Sequence, residues 1–206
     1  MTRRRAPAGD ASDLVVRALT PERWPDLARL FGARGVGGGC WCMYWRAPSH
    51  REYLRGKGTR NRDAMAALVR EGREPGLIAY AGGEPVGWCA VAPRAEYPAL
   101  ARSPSRRRVD GLPVWSVTCL YLARSHRRRG LSVRLIEAAV AHARSRGARI
   151  VEAYPVPPKS GTTSTSYAFT GFVSAFEAAG FTEVCRRRRT RPILRREVRP
   201  ARGVRR

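Results

Sequence analysis

The sequence predicts a single α/β (α+β) domain in which a central, mixed and mostly antiparallel sheet is flanked by helices. Three observations carry that expectation. The chain has 206 residues with 43% hydrophobic composition, long enough for one complete core and too short for two comfortable ones. Two apolar, strand-like runs, Leu77 to Ala81 and Val86 to Val91, flank Gly82, Gly83, Glu84 and Pro85, which is a hairpin signal and therefore an antiparallel pair. Val114 to Leu122 is hydrophobic on both alternating sets, the pattern of a buried central strand, and it leads through basic residues and a glycine into the strongest helical stripe of the chain.

The remaining elements follow in order. Leu14 to Ala18 is apolar and β-branched and reads as a strand. Thr20 and Pro21 then stand as N-cap and first helical position of a helix reaching Phe31. A glycine-rich loop ends in the aromatic and sulfur cluster Cys40, Trp41, Cys42, Met43, Tyr44 and Trp45. Thr59 to Gly72 is a second helix, with Met65, Leu68 and Val69 at helical spacing. Between Pro93 and Pro113 Arg, Ser and Pro dominate without a clean period, which predicts a surface loop. Leu131 to Arg146 carries the stripe Leu131, Leu135, Ile136, Ala139, Val140 and Ala143, with Gly147 at the C-terminal cap. Arg149 to Tyr154 is a strand ended by Pro155, and Val156 to Thr170 is a polar loop. Phe172 to Ala179 is a short helix stopped by Gly180, and Phe181 to Arg189 and Ile193 to Val198 are closing strands. The domain is expected over 13–198, with a disordered basic N-terminus over 1–12 and a basic tail over 199–206.

The net charge is +24, and only Lys57 and Lys159 are lysines, which leaves 38 arginines. Arginine is a permanent cation whose fork fits phosphate and carboxylate, so a polyanionic partner such as nucleic acid is a candidate for the basic ends; a solvated tail is the alternative. No run approaches the roughly 20 apolar residues of a membrane span, which excludes a spanning protein. The start, MTRRRAPAGDASD, lacks the roughly 7 to 15 apolar residues of a secretory signal, so a cytoplasmic location is expected. The five cysteines are odd in number and fit a reducing compartment. Cys40 and Cys42 form C-x-C with no second pair, so no metal site is expected and they read as packing thiols.

Chemistry concentrates between Val114 and Ala143. A strand feeding Arg127-Arg128-Arg129-Gly130-Leu131-Ser132 and then a helix gathers unpaired backbone N–H groups, the positive end of the helix dipole and a glycine at one spot, suited to a pyrophosphate. The spacing Leu120-x-Leu122, four residues, Arg127-x-x-Gly130-x-Ser132, then Leu135-Ile136, resembles the acetyl-CoA signature of the GCN5-related N-acetyltransferase (GNAT) family, [Gln/Arg]-x-x-Gly-x-[Gly/Ala]. Ser132 is a small departure at the sixth place. Phe176-Glu177-x-x-Gly180-Phe181 is similar to the family's later Tyr-x-x-x-Gly-Phe segment, and the order of elements matches over roughly 13–198.

The resemblance implies a GNAT-like fold and an acetyl-CoA-dependent N-acetyltransferase acting on an amine of a small molecule, peptide or protein. It implies a strand splayed from its neighbour, with free backbone groups at Leu120, Tyr121 and Leu122 for pantetheine. The amides of Arg128, Arg129, Gly130, Leu131, Ser132 and Val133 would hold the pyrophosphate, with the Arg127 to Arg129 side chains adding charge. Where the family often has a tyrosine acid, this chain has Phe176. Tyr154 and Tyr167 are the substitutes, or else packing aromatics. Glu152 lies in an apolar run, where a carboxylate is costly unless it faces a cleft or a cation; it is a base acting through water or an ion pair with arginine. Cys119 admits an acyl-cysteine route or inert packing. Trp41, Tyr44 and Trp45 form an aromatic wall for the acceptor, or pack beneath the glycine loop. The competing expectation is a catalytically weak scaffold that binds nucleic acid or the ribosome.

Overall fold

The computed structural model describes residues 13–158 and 167–199. The expected disordered N-terminus, part of the polar loop and the tail beyond Arg199 lie outside them. Seven strands form one sheet in the order β1-β2-β3-β4-β5-β7-β6: β1 (Val15–Ala18), β2 (Gly76–Ala81), β3 (Glu84–Pro93), β4 (Trp115–Leu122), β5 (Ile150–Ala153), β6 (Thr182–Arg186) and β7 (Pro192–Glu197). All neighbours are antiparallel except β4 and β5. The sheet is therefore mixed and mostly antiparallel, as its sequence predicts. Gly82 (φ 56°) and Gly83 (φ 79°) supply the two left-handed positions of the tight turn joining β2 to β3.

Helices cover both faces. On one lies α6 (Leu131–Ser145), whose buried stripe is the predicted Leu131, Leu135, Ile136, Ala139, Val140 and Ala143, with α7 (Val173–Ala178) beside it. They close a core with Leu77, Val91, Val117, Val151, Leu194, Phe176 and Phe181. On the other face, α1 (Trp24–Phe31), the single turn α2 (Val36–Gly39) and α4 (Thr59–Arg70) surround Trp41, Met65, Ile78 and Trp88, with α3 (His50–Gly56) packed against α4. Among the described residues no helix is long and apolar enough to cross a membrane.

Two expectations need correction. The segment from Pro93 to Pro113 is not simply a surface loop: it contains α5 (Pro98–Arg102) and buries Arg94, Tyr97, Leu100 and Ser105. Isolated apolar residues spaced by Ala, Pro and Arg leave no period, yet Tyr97 and Leu100 are buried with Trp45, Tyr154 and Ile193, while Leu112 stays exposed. The glycine loop likewise leads into α3, which starts at Ser49, whose side chain accepts a hydrogen bond from the Glu52 N–H at 3.1 Å. Ser49-x-x-Glu52 is the sequence sign of that helix start.

Candidate active site

The sheet opens between its two parallel strands. Pairing of β4 with β5 runs only from Trp115 to Val117 against Val151 to Ala153, while β4 continues to Leu122. Beyond β5, Pro155, Pro157 and Pro158 have no N–H to donate, and Val156 pairs with Phe172 instead of with β4. Cys119, Leu120, Tyr121 and Leu122 are accordingly half-buried, whereas Ser116 to Thr118 are buried. One backbone group expected to be free is not: the Leu120 N–H donates to the Phe169 carbonyl at 2.7 Å. The chain just beyond the polar loop thus reaches across the opening. Gly171 (φ 85°) makes the approach, since a Cβ there would lie 2.7 Å from the Phe176 ring and 2.8 Å from Leu120 Cδ1.

At the far end of β4 the chain turns into α6. Arg128 (φ 61°) and Gly130 (φ 73°) are both left-handed, and a Cβ at Gly130 would meet nothing within 4 Å. The turn therefore presents an open face. Val133 N–H bonds the Gly130 carbonyl at 3.0 Å, so the amides of Leu131 and Ser132 precede the helix's own ladder and point along the positive end of its dipole. The three arginines divide their work. Arg127 folds back, its Nε donating to the Leu122 carbonyl at 2.9 Å, and locks the turn to the strand; Arg128 and Arg129 are exposed. Of the block expected to add charge, Arg127 is turned to the strand, while Arg128 and Arg129 face solvent beside the turn.

The proposed aromatic wall divides as well. Tyr44 and Trp45 meet Phe169, with ring centroids 5.8 and 6.3 Å away. Trp41 does not join them: it is 1% exposed and packs against Trp24 and Phe31 in the core. The face of Trp45 already carries a cation, Arg106, at 4.9 Å, and burial together with Arg191 lowers the Arg106 guanidinium to about 10. Arg191 in turn lies 4.9 Å from the Tyr167 ring. Arg106, Phe169 and Arg191 sit in loops with no periodicity; Arg106 stands out in the sequence only as the start of the basic block Arg106 to Arg108, and nothing local marks Phe169 or Arg191.

Glu152 is a charge hub. Its side chain is 1% exposed, and Oε1 accepts from Arg94 at 3.0 Å and from the Tyr154 hydroxyl at 2.6 Å. Oε2 accepts from Arg195 Nε at 2.8 Å, and Arg195 also pairs with Asp110. With both oxygens held by cations and its side chain shut away from solvent, the geometry of Glu152 speaks against a general base and for the ion pair. Tyr154 is 1% exposed, its hydroxyl 2.9 Å from Ser116 Oγ and also contacted by Arg94. Burial, with the Glu152 charge, pushes its phenol far above the usual range. Phe176 is fully buried edge-on to Phe181 at 5.2 Å and is a core residue.

Residues 41–160, more than half of the chain, match the model of the Acetyltransferase (GNAT) family. The chain belongs to that family. Among solved structures it is similar to a PaiA N-acetyltransferase from Thermoplasma acidophilum in complex with coenzyme A, at 13% identity and TM-score 0.50, covering 90% of this chain and 99% of that one. It is also similar to a polyamine N-acetyltransferase of Drosophila melanogaster that forms N-acetylagmatine, at 13% identity and TM-score 0.54, covering 90% and 100%. At this identity the likeness carries the fold. No curated relative matches the sequence.

Proposed function

We propose that the protein transfers an acetyl group from acetyl-CoA to an amine of a small molecule, peptide or protein. The observation that carries this reading is the opening between β4 and β5 beyond Val117 and Ala153, which leads to the open, left-handed turn at Gly130. The turn fits a pyrophosphate: its amides precede the helical ladder and two exposed arginines stand beside it. Bound there, acetyl-CoA supplies the activated acetyl thioester. The Leu131 and Ser132 amides would hold the phosphates, and the open edge of β4 at Tyr121 and Leu122 would take the pantetheine arm. Tyr44 and Trp45 flank the acceptor side.

With Glu152 ion-paired and Tyr154 enclosed, the leaving-thiol proton is assigned to Tyr167, two residues before the Phe169 carbonyl that touches β4. Tyr167→Phe should lower kcat at least tenfold with acetyl-CoA affinity unchanged; an unchanged kcat overturns that role. The cofactor reading is tested by thermal shift with acetyl-CoA, CoA and longer acyl-CoAs. Stabilisation by acetyl-CoA supports it, and no stabilisation by any of them overturns it. One observation favours the second reading, a scaffold that binds nucleic acid: the Leu120 N–H is already satisfied within the chain. That reading requires RNA or DNA binding in the absence of any acyl-CoA response.

A further inference from the structure

Five cysteines are present, and one pair of them is set up for a reaction that acetyl transfer does not use. Cys42 Sγ and Cys119 Sγ lie 3.6 Å apart, although 77 residues separate them in the chain. Cys42 follows the turn α2, and Cys119 stands on β4 immediately before Leu120. The approach is built. Trp41 (φ 46°) and Cys42 (φ 57°) both adopt the left-handed backbone that non-glycine residues rarely take. Trp88 Nε1–H then fixes the sulfur, donating to Cys42 Sγ at 3.0 Å. Cys42 is buried and Cys119 is half-buried on the open stretch of β4, so the two thiols differ in access. Among the described residues no other pair of thiols is in contact: Cys89 is buried, Cys40 faces Tyr53, and Cys185 lies on β6.

We propose that Cys42 and Cys119 are a modification site that a peroxide converts to a reversible intramolecular disulfide. Cys119, the accessible thiol, takes one peroxide oxygen and becomes a sulfenic acid, with water as the other product. Cys42 Sγ attacks that sulfur; the S–S bond forms, the S–O bond breaks, and the hydroxide leaves with the Cys42 proton as a second water. Two thiols have lost two electrons and one O–O bond has been reduced to two waters. Closing the gap to the roughly 2.05 Å of an S–S bond ties the segment before Tyr44 and Trp45 to the strand at Leu120. A dithiol reverses the bond by exchange.

The test uses the full chain treated with hydrogen peroxide, followed by alkylation of the remaining thiols and mapping of non-reduced peptides by mass spectrometry. The expected result is a fall from five free thiols to three, with one linked peptide joining Cys42 to Cys119, and recovery of all five in dithiothreitol. Cys119→Ser should lose no pair of thiols to an internal bond, whereas Cys185→Ser should still lose two. Cys42→Ser makes the same point from the other side, and the wild-type map decides the matter if that variant does not fold. A Cys119 driven to sulfinic acid without a linked peptide, or a link that uses Cys40 or Cys89, overturns the proposal.

Discussion

Gly130 holds a left-handed turn with empty space where a side chain would begin. Gly130→Glu places both bulk and negative charge on the face that receives the pyrophosphate, at a backbone cost of roughly 1–2 kcal/mol. Acetyl-CoA binding should become undetectable by calorimetry while the variant still melts cooperatively; unchanged affinity in the folded variant removes the cofactor site from this turn. At Glu152 the two readings of the sequence separate by what they predict. A base lost in Glu152→Gln lowers turnover with little effect on stability, whereas a hub leaves the buried Arg94 guanidinium without its carboxylate and Arg195 with Asp110 alone, and costs about 3 kcal/mol or more in urea unfolding. The geometry predicts the second. His142, on α6 against Trp115, shows the pH side of the same physics: burial, outweighing the nearby Glu74, lowers its pKa from 6.5. The unfolded chain therefore binds that proton more readily than the folded one, so the contribution is fully present above about pH 6.5 and is lost as pH falls through that value toward the folded pKa. His142→Gln should have a shallower loss of unfolding free energy between pH 7.5 and 5 than the parent, and equal slopes refute the assignment.

Elements with a strong local signal were legible in the sequence, because the buried stripe on α6 is written in every third and fourth residue and the apolar runs of β2 and β3 flank a two-glycine turn. The strand-turn-helix that carries the candidate cofactor site was legible for the same reason, with its glycine as the anchor. Short helices escaped: α5 spans one turn and a half, too little for any stripe to emerge, and its burial depends on Tyr97 and Leu100 meeting Trp45 and Ile193 from elsewhere in the chain. The partners of Glu152 escaped for a related reason. Arg94 and Arg195 come from separate segments, as does Asp110, which pairs with Arg195, and among 38 arginines nothing local marks these two as buried or half-buried countercharges. The crossing of the opening by Phe169 was equally invisible, since a backbone carbonyl has no residue identity. It is testable through Gly171, where Gly171→Ala sets a methyl against Phe176 and Leu120 Cδ1. That change should cost about 1–3 kcal/mol and accelerate hydrogen exchange at the Leu120 amide, read by NMR; a protected Leu120 amide in the variant argues that the segment does not depend on this close approach.

For the molecule as a whole, a charge of +24 means that any polyanion is attracted, so attraction alone identifies no partner. The salt dependence discriminates. If the arginines beyond Arg199 contact phosphates, truncation before Pro200 should reduce the slope of log affinity against log salt by about 0.9 for each lost contact with double-stranded DNA, with acetyl-CoA binding untouched. Equal slopes for RNA, DNA and heparin, or no change on truncation, leave no nucleic-acid partner to explain. The order of the sheet has a consequence of another kind. β7 lies between β5 and β6, and it brings Arg195 to Glu152, so one side of the sheet is completed by a strand that leaves the ribosome after both of its neighbours. A nascent chain emerged only to Arg191 has the Glu152 carboxylate in place with one of its two cationic partners still in the exit tunnel, and β5 with an unpaired edge. Synthesis and folding are then coupled in time: until β7 arrives the interior is unfinished, and that exposed edge is the place where a chaperone, or another unfinished copy, would take hold.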